Sequence, residues 1–365
     1  MSAAALTLLA SLAPRCLGGG FQDPELEAAL KADRARIAAK RPLTDDEKRA
    51  YVAPKAGVPA KPRASCTIAI VPLEFADAKR GSRDLERELA RLADFTKAMS
   101  GGAFTLSWKV RAAASIDAKR GDFARLAAGS REEKKPLEAL AVDGADAVVF
   151  VAAGPFGARG TALWPHKDAL ELSDRTLDYL IVPEEAEAHW LGILAHEFGH
   201  VLGLEDKYED ASAKVGRWCL MGTGYLGDKA DNPMPLCGVC RERLGWASAG
   251  LIDARKGAAV SLGAGDLVRI PVVEGKEALV LEMRDRLIVW HTGGGKAIER
   301  VPVEGDRLTP YSDPPFLGRT LGSSPVWLTD VRVEGGRAYV RVALSGEPTP
   351  LEELRRSRVG KPLGK

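Results

Sequence analysis

The chain has little of what would assign it at a glance. Its net charge is only +2, too small to imply nucleic acid or an acidic membrane surface as a partner. Long apolar runs are missing as well. Met1 to Ala13 is too short to span a bilayer, so no transmembrane segment is expected. Followed by Pro14, Arg15, Cys16 and three glycines, it reads as a secretion signal without the usual positively charged n-region, and the Pro-Arg pair argues against lipid attachment at Cys16. Cysteine is scarce, five in 365 residues. With the leader removed, Cys66, Cys219, Cys237 and Cys240 remain, an even number compatible with two disulfides in an oxidising compartment. A redox pair at Cys237-Gly-Val-Cys240 is a second option, weakened because this CxxC follows a loop rather than a strand. A structural metal on Cys219, Cys237 and Cys240 is a third, with no fourth ligand evident. The remaining composition, 45% hydrophobic and 28% charged, suits a soluble chain with room for two domains.

Histidine is equally scarce, also five, and two of the five stand in HEFGHVLGLEDKYE. At 3.6 residues per turn, His196 and His200 share one helix face, so both imidazoles reach a single Zn²⁺ at about 2.0–2.1 Å. Glu197 projects beside the metal, where a carboxylate can act as general base toward water. The helix is read to begin near Glu184 to Ala186, after Pro183, and to anchor through Trp190, Ile193, Leu194, Phe198, Val201 and Leu202. Gly203 lets the chain turn sharply with positive φ, which returns Asp206 as third ligand where metzincins most often have histidine. Glu205 and Glu209 are rivals for that place. A chance HExxHxxG in this length has a frequency below about one in a thousand. Downstream, Trp218 to Gly224 (WCLMGTG) has the form of a Met-turn, with Met221 as the methionine under the ligands.

Beyond the helix, several blocks in order resemble the secreted metallopeptidases of the immune inhibitor A type. They are IAIVPLEFAD from Ile68, FTKAMSGGAFTLSWKV from Phe95, DAVVFVAAG from Asp146, Trp164-Pro165-His166, ILAHEFGHVLGLEDKY from Ile193, the Met221 turn and Arg243-Leu244-Gly245-Trp246. LVLEMRD from Leu279 and LIVWH from Leu287 look like the following β segments, so the resemblance covers roughly 66–292. It implies zinc on His196, His200 and Asp206, with Glu197 as base. This chain has Glu205 where the family commonly has proline, which leaves Glu205 in competition for the metal.

The expected organisation is a signal segment at 1–20, a charged prosegment or spacer at 21–63, a zinc metallopeptidase domain at 64–250, a β-rich domain at 251–345 and a basic tail at 346–365. Asp45 or Asp46 of the prosegment could occupy the zinc, although a solvated charged helix is the commoner meaning. Strand-like runs at 67–75, 104–110, 147–152 and 179–182 alternate with helical runs at 84–98 and 131–141. The fold class is therefore α+β, a metzincin-like catalytic domain with a mixed sheet and an active-site helix, followed by short β segments at 259–262, 267–273, 278–283, 287–291 and 338–344. His166 and His291 read as structural, with His166 also placed to line a cleft, and Tyr225 could donate to a tetrahedral intermediate. The expectation is a secreted zinc endopeptidase with one catalytic Zn²⁺, structural Ca²⁺ left open, and a protein or peptide as substrate. The alternative is a catalytically silent, zinc-containing binding or adhesion protein.

Overall fold

A computed structural model describes residues 44–49, 51, 63–155, 163–185, 189–207, 215–227, 232–273, 277–284, 286–293, 296–300 and 326–344. The signal segment, most of the spacer, the rival ligand Glu209 and the basic tail lie outside these residues. The described chain divides into two units: 63–247, and 248–344 together with 44–51. Helix α1 (Asp45–Arg49) belongs to the second, with Asp46 paired to Arg49 at 3.1 Å.

The first unit is built on one mixed sheet. Its strands are β1 (Ser65–Glu74), β2 (Thr105–Val110), β3 (Ala114–Ser115), β4 (Ala147–Pro155), β5 (His166–Glu171) and β6 (Thr176–Glu185). The order is β2-β1-β4-β6-β5, with β3 beside β1; all pairs are parallel except β5 with β6. Ala147 to Ala153 are all buried, the continuous apolar run a parallel strand needs when both sheet faces are covered. Alternate residues Val71 and Leu73 of β1, Val148 and Phe150 of β4, and Tyr179 and Ile181 of β6 share one core. Helices α3 (Arg120–Phe123) and α4 (Arg131–Glu138) add Phe123 and Leu137 to it. The intervening Ile70, Val149 and Leu180 are equally buried and face the other way. Helix α2 (Leu85–Met99), capped by Asp84 accepting from the Arg87 N–H, packs against α5 (Trp190–Val201), the helix carrying HEFGH. Helix α6 (Gly238–Arg243) closes the unit.

The structure departs from the sequence expectation at several points. The HEFGH helix starts at Trp190, because 184–185 continue β6 alongside β4. Pro183 is tolerated in that strand because β5 has already ended at the Ile181–His166 pair, so the missing N–H deprives no neighbour there. Helix α4 stops at Glu138 rather than 141, two residues after Pro136, whose ring removes one helical hydrogen bond. Strand β5 was not foreseen: HKDALE is polar, as an edge strand can be.

The second unit holds two antiparallel sheets. One orders β12 (Lys296–Arg300), β11 (Leu287–Gly293), β10 (Glu277–Met283), β9 (Leu267–Val273) and β7 (Gly250–Leu251); the other orders β13 (Val326–Glu334), β14 (Arg337–Leu344) and β8 (Ala258–Leu262). Only the β7–β9 pair is parallel. Val260, Ile270, Leu281, Val289, Leu328 and Val340 draw both sheets into one core. β7, β12 and β13 are additions to the expected segments. His291 sits on β11 opposite Leu279.

Candidate metal centre

Helix α5 is buried almost all round, only Ile193 and His200 being less so. Its start is pinned by the Trp190 indole N–H donating to the Pro183 carbonyl at 3.0 Å, with the Arg83 guanidinium 5.0 Å from the Trp190 ring centre. Its end is a Schellman closure: the Gly203 N–H reaches the His200 carbonyl and the Leu204 N–H the Gly199 carbonyl, both at 3.0 Å. Gly203 takes φ +87°, the positive value expected of it.

The chain then returns so that Asp206 Oδ1 lies 3.0 Å from His196 Nε2 and 3.3 Å from His200 Nε2. The two imidazoles stand one helical turn apart with ring centres at 5.0 Å. Each directs its other nitrogen at a backbone carbonyl: His196 Nδ1 at Leu220 O, 2.9 Å, and His200 Nδ1 at Leu204 O, 2.8 Å. A carbonyl can only accept, so both Nδ1 atoms carry the proton and both Nε2 atoms face Asp206. Three donor atoms thus lie within 4.8 Å of one another. Two imidazole nitrogens and a carboxylate oxygen are a set that zinc accepts. Glu205 is instead turned toward Lys207 and Arg243, at 3.7 and 3.6 Å.

Burial alone would raise the Asp206 carboxyl, but the His196 and His200 imidazoles facing it outweigh burial and hold the group well below the usual carboxylate range. Burial likewise works against charge on His200, yet Asp206 and the Leu204 carbonyl prevail and raise it. The Glu197 carboxyl is pushed up by burial, opposed by the charges of His196 and His200. A raised carboxyl pKa moves Glu197 toward the range in which it can both take and return a proton.

Met221 is fully buried, and the loop carrying it is tied to the Asp206 loop by the Lys207 N–H donating to the Met221 carbonyl at 2.7 Å. Two glycines of α5 admit this loop. A Cβ at Gly199 would stand 2.5 Å from Met221 Sδ, and one at Gly192 would stand 1.9 Å from the Tyr225 carbonyl oxygen. The Tyr225 ring lies 5.1 Å from the His196 ring. Burial, then the charges of Glu197 and Asp206, pushes its hydroxyl up to about 12.

His166, at the start of edge strand β5, is held by Trp164 O at Nδ1 and Glu133 Oε1 at Nε2, both at 2.9 Å. Glu133 also accepts from the Tyr179 hydroxyl at 2.6 Å. Burial opposes charge on His166, but Glu133 outweighs it, and the net effect is a raised imidazole. Sequence reasoning missed Glu133, Tyr179 and Gly192 and the two carbonyls behind the histidines. None of the four described cysteines is joined in a disulfide; three cluster, while Cys66 on β1 lies beside Asp146 with its thiol pushed up to about 12, burial being the main cause.

Residues 146–241 match the family model of the immune inhibitor A peptidase M6 catalytic domain. The match runs from β4 through α5 and the Met221 loop into α6. It is roughly a quarter of the chain, shorter than the 66–292 span of the resemblance read from sequence. Among solved structures, metalloproteinase-II from Bacteroides fragilis is similar at 14% identity and a TM-score of 0.34, with 58% of this chain covered and 60% of that one. The chain therefore spans less than two thirds of that protein's length. Wild-type OgpA from Akkermansia muciniphila is similar at 13% identity and a TM-score of 0.33, covering 81% of this chain and 97% of that one. No curated protein matches the chain. The resemblance to the immune inhibitor A metallopeptidases is borne out by the family match across the segment that holds His196, Glu197, His200, Asp206 and Met221.

Proposed function

Given a catalytic segment of the immune inhibitor A metallopeptidase type, we propose that the chain is an exported, zinc-dependent endopeptidase. The observation carrying this reading is the convergence of His196 Nε2, His200 Nε2 and Asp206 Oδ1, with each imidazole locked from behind by a carbonyl. Such backing fixes the tautomer that leaves Nε2 free to ligate. A Zn²⁺ held there would polarise the scissile carbonyl and acidify water.

Glu197 takes the proton from the attacking water and returns it to the leaving amine, a double duty suited to a carboxyl raised by burial. The Tyr225 hydroxyl keeps its proton through neutral pH and can donate it as a hydrogen bond to the developing oxyanion. Strand β5 ends the sheet, so its outer edge offers backbone groups to an extended peptide. His166 anchors the first residue of that edge to Glu133 and so positions it. Among the described residues no helix is long and apolar enough to cross a membrane. Export fits the extracellular setting typical of this family.

The test is proteolysis of casein or gelatin by the purified chain, with and without chelator. Glu197→Ala should stay folded and zinc-loaded while losing about 10²–10⁴-fold in rate. Cleavage at the wild-type rate by that variant, or in excess chelator, would sink the reading. Bound zinc with no turnover by the wild type would favour the silent binding protein instead.

A further inference from the structure

We propose that Cys219, Cys237 and Cys240 form a second, structural metal centre for a soft divalent cation, with Zn²⁺ as the physiological class. The three Sγ atoms lie within 4.8 Å of one another, and all three residues are essentially without solvent exposure. Two sulfurs bound tetrahedrally to one ion at about 2.3 Å stand about 3.8 Å apart. The Cys219–Cys240 separation is 3.8 Å. A disulfide joins only two of the three sulfurs, whereas one ion takes all three, and Cys66 is not in the group. The Cys237 N–H donates to Cys219 Sγ at 3.3 Å, an N–H···S contact that stabilises thiolate. The three cysteines fill three of the four positions zinc takes, and a non-cysteine donor takes the fourth. Loading gives up three thiol protons to solvent.

The placement gives the centre a task. Cys219 opens the Met221 loop: its carbonyl accepts from the N–H groups of Gly222 and Gly224, at 2.9 and 3.1 Å. The next residue is Leu220, whose carbonyl orients His196. Cys237 and Cys240 lie at the head of α6, on a segment already joined to that loop by Leu220 N–H to Pro235 O, 3.2 Å. An ion across the three would clamp the Met221 loop to α6 and hold the carbonyl that orients the first site.

The experiment uses the full chain purified under reductant, with Zn²⁺ or Co²⁺ alone as probe. His196→Ala/His200→Ala, which empties the first site, should retain one equivalent of zinc. X-ray absorption on that protein should show three sulfur neighbours and one nitrogen or oxygen, and Co²⁺ exchange should give an intense thiolate charge-transfer band. Adding Cys237→Ser/Cys240→Ser should remove the remaining metal. Should that variant fail to fold, the sulfur count on the first protein still decides. No retained metal, metal without sulfur ligands, or a Cys219–Cys240 disulfide found by mass spectrometry of the unreduced protein would overturn the proposal.

Discussion

Gly192→Ala tests the packing that holds the proposed zinc site together without touching a ligand. Gly192 lies one turn before His196, and its added Cβ would stand 1.9 Å from the Tyr225 carbonyl oxygen, 2.9 Å from its carbonyl carbon and 3.3 Å from Pro233 Cβ. Carbon and oxygen need about 3.3 Å, so the Tyr225 backbone has to retreat by roughly 1.4 Å. It cannot do so alone. The neighbouring Gly224 N–H is bonded to Cys219 O, and Gly224 O accepts from Gly227 and Met234. The shift therefore passes back to Leu220, whose carbonyl orients His196. Overpacking costs about 1–3 kcal/mol, and alanine returns about 1 kcal/mol of helix propensity. A net loss of roughly 1 kcal/mol lowers Tm by about 2–4 °C in a domain of this size. Loss of the partner behind a ligating histidine typically costs about 10–100-fold in metal affinity. The expected signature is thus a small fall in Tm by calorimetry with a much larger fall in zinc affinity by titration against a competing chelator. Gly121→Ala is the control, since a Cβ there meets nothing within 4 Å. Unchanged zinc affinity in Gly192→Ala, with an unchanged Tm, would refute the argument that glycine is needed to admit the loop.

The third ligand can be assigned by metal analysis: Asp206→Ala should lose zinc, while Glu205→Ala, which gives up only ion pairs with Lys207 and Arg243, should keep it. The opposite ranking would move the ligand by one residue. Met221→Ala should destabilise the first unit by about 2–5 kcal/mol, and Met221→Leu by less than about 1.5 kcal/mol, as read from denaturant midpoints. Equal losses would mean that volume at this buried position does not matter. The His166–Glu133 contact should appear in the pH dependence of Tm. The imidazole is raised above its ordinary 6.5, burial being outweighed by Glu133, so the contact contributes fully below pH 6.5 and is lost as pH rises through the higher folded value. Relative to His166→Gln, the wild type should lose Tm on going alkaline; a pH-independent difference would remove the charge from the interaction.

What could be read from the sequence was what spacing alone decides. His196, Glu197 and His200 are set by 3.6 residues per turn, and Gly203 by the need for a residue free to take φ +87°. Apolar runs identified β1, β4 and β6, which are buried on both faces. Strand β5 was illegible because an edge strand needs neither an apolar run nor strict alternation, and HKDALE has neither. The early end of α4 is legible in Pro136, which stands inside REEKKPLE and interrupts a helical periodicity that runs on to 141. The start of α5 was misplaced for the converse reason. Pro183 suits a helix opening, but at the free end of a strand pairing it is equally at home.

Contacts between distant parts of the chain left no such trace. Glu133 meets Tyr179 across 46 positions and His166 across 33, and nothing local marks one glutamate of REEKK as the one that will be buried. The carbonyls of Leu204 and Leu220 are invisible in principle, since every residue has one. Gly192 and Gly199 are an intermediate case. Seven apart, they fall on the same face of α5, a spacing that on a helix means a second segment crosses closely there. That segment is the Met221 loop, which bears Cys219, Leu220, Met221 and Tyr225 within seven residues. The pair of glycines and the loop are therefore one packing requirement, written at two places in the chain. Substituting either glycine should injure the site through the loop, even though neither glycine bears a ligand atom.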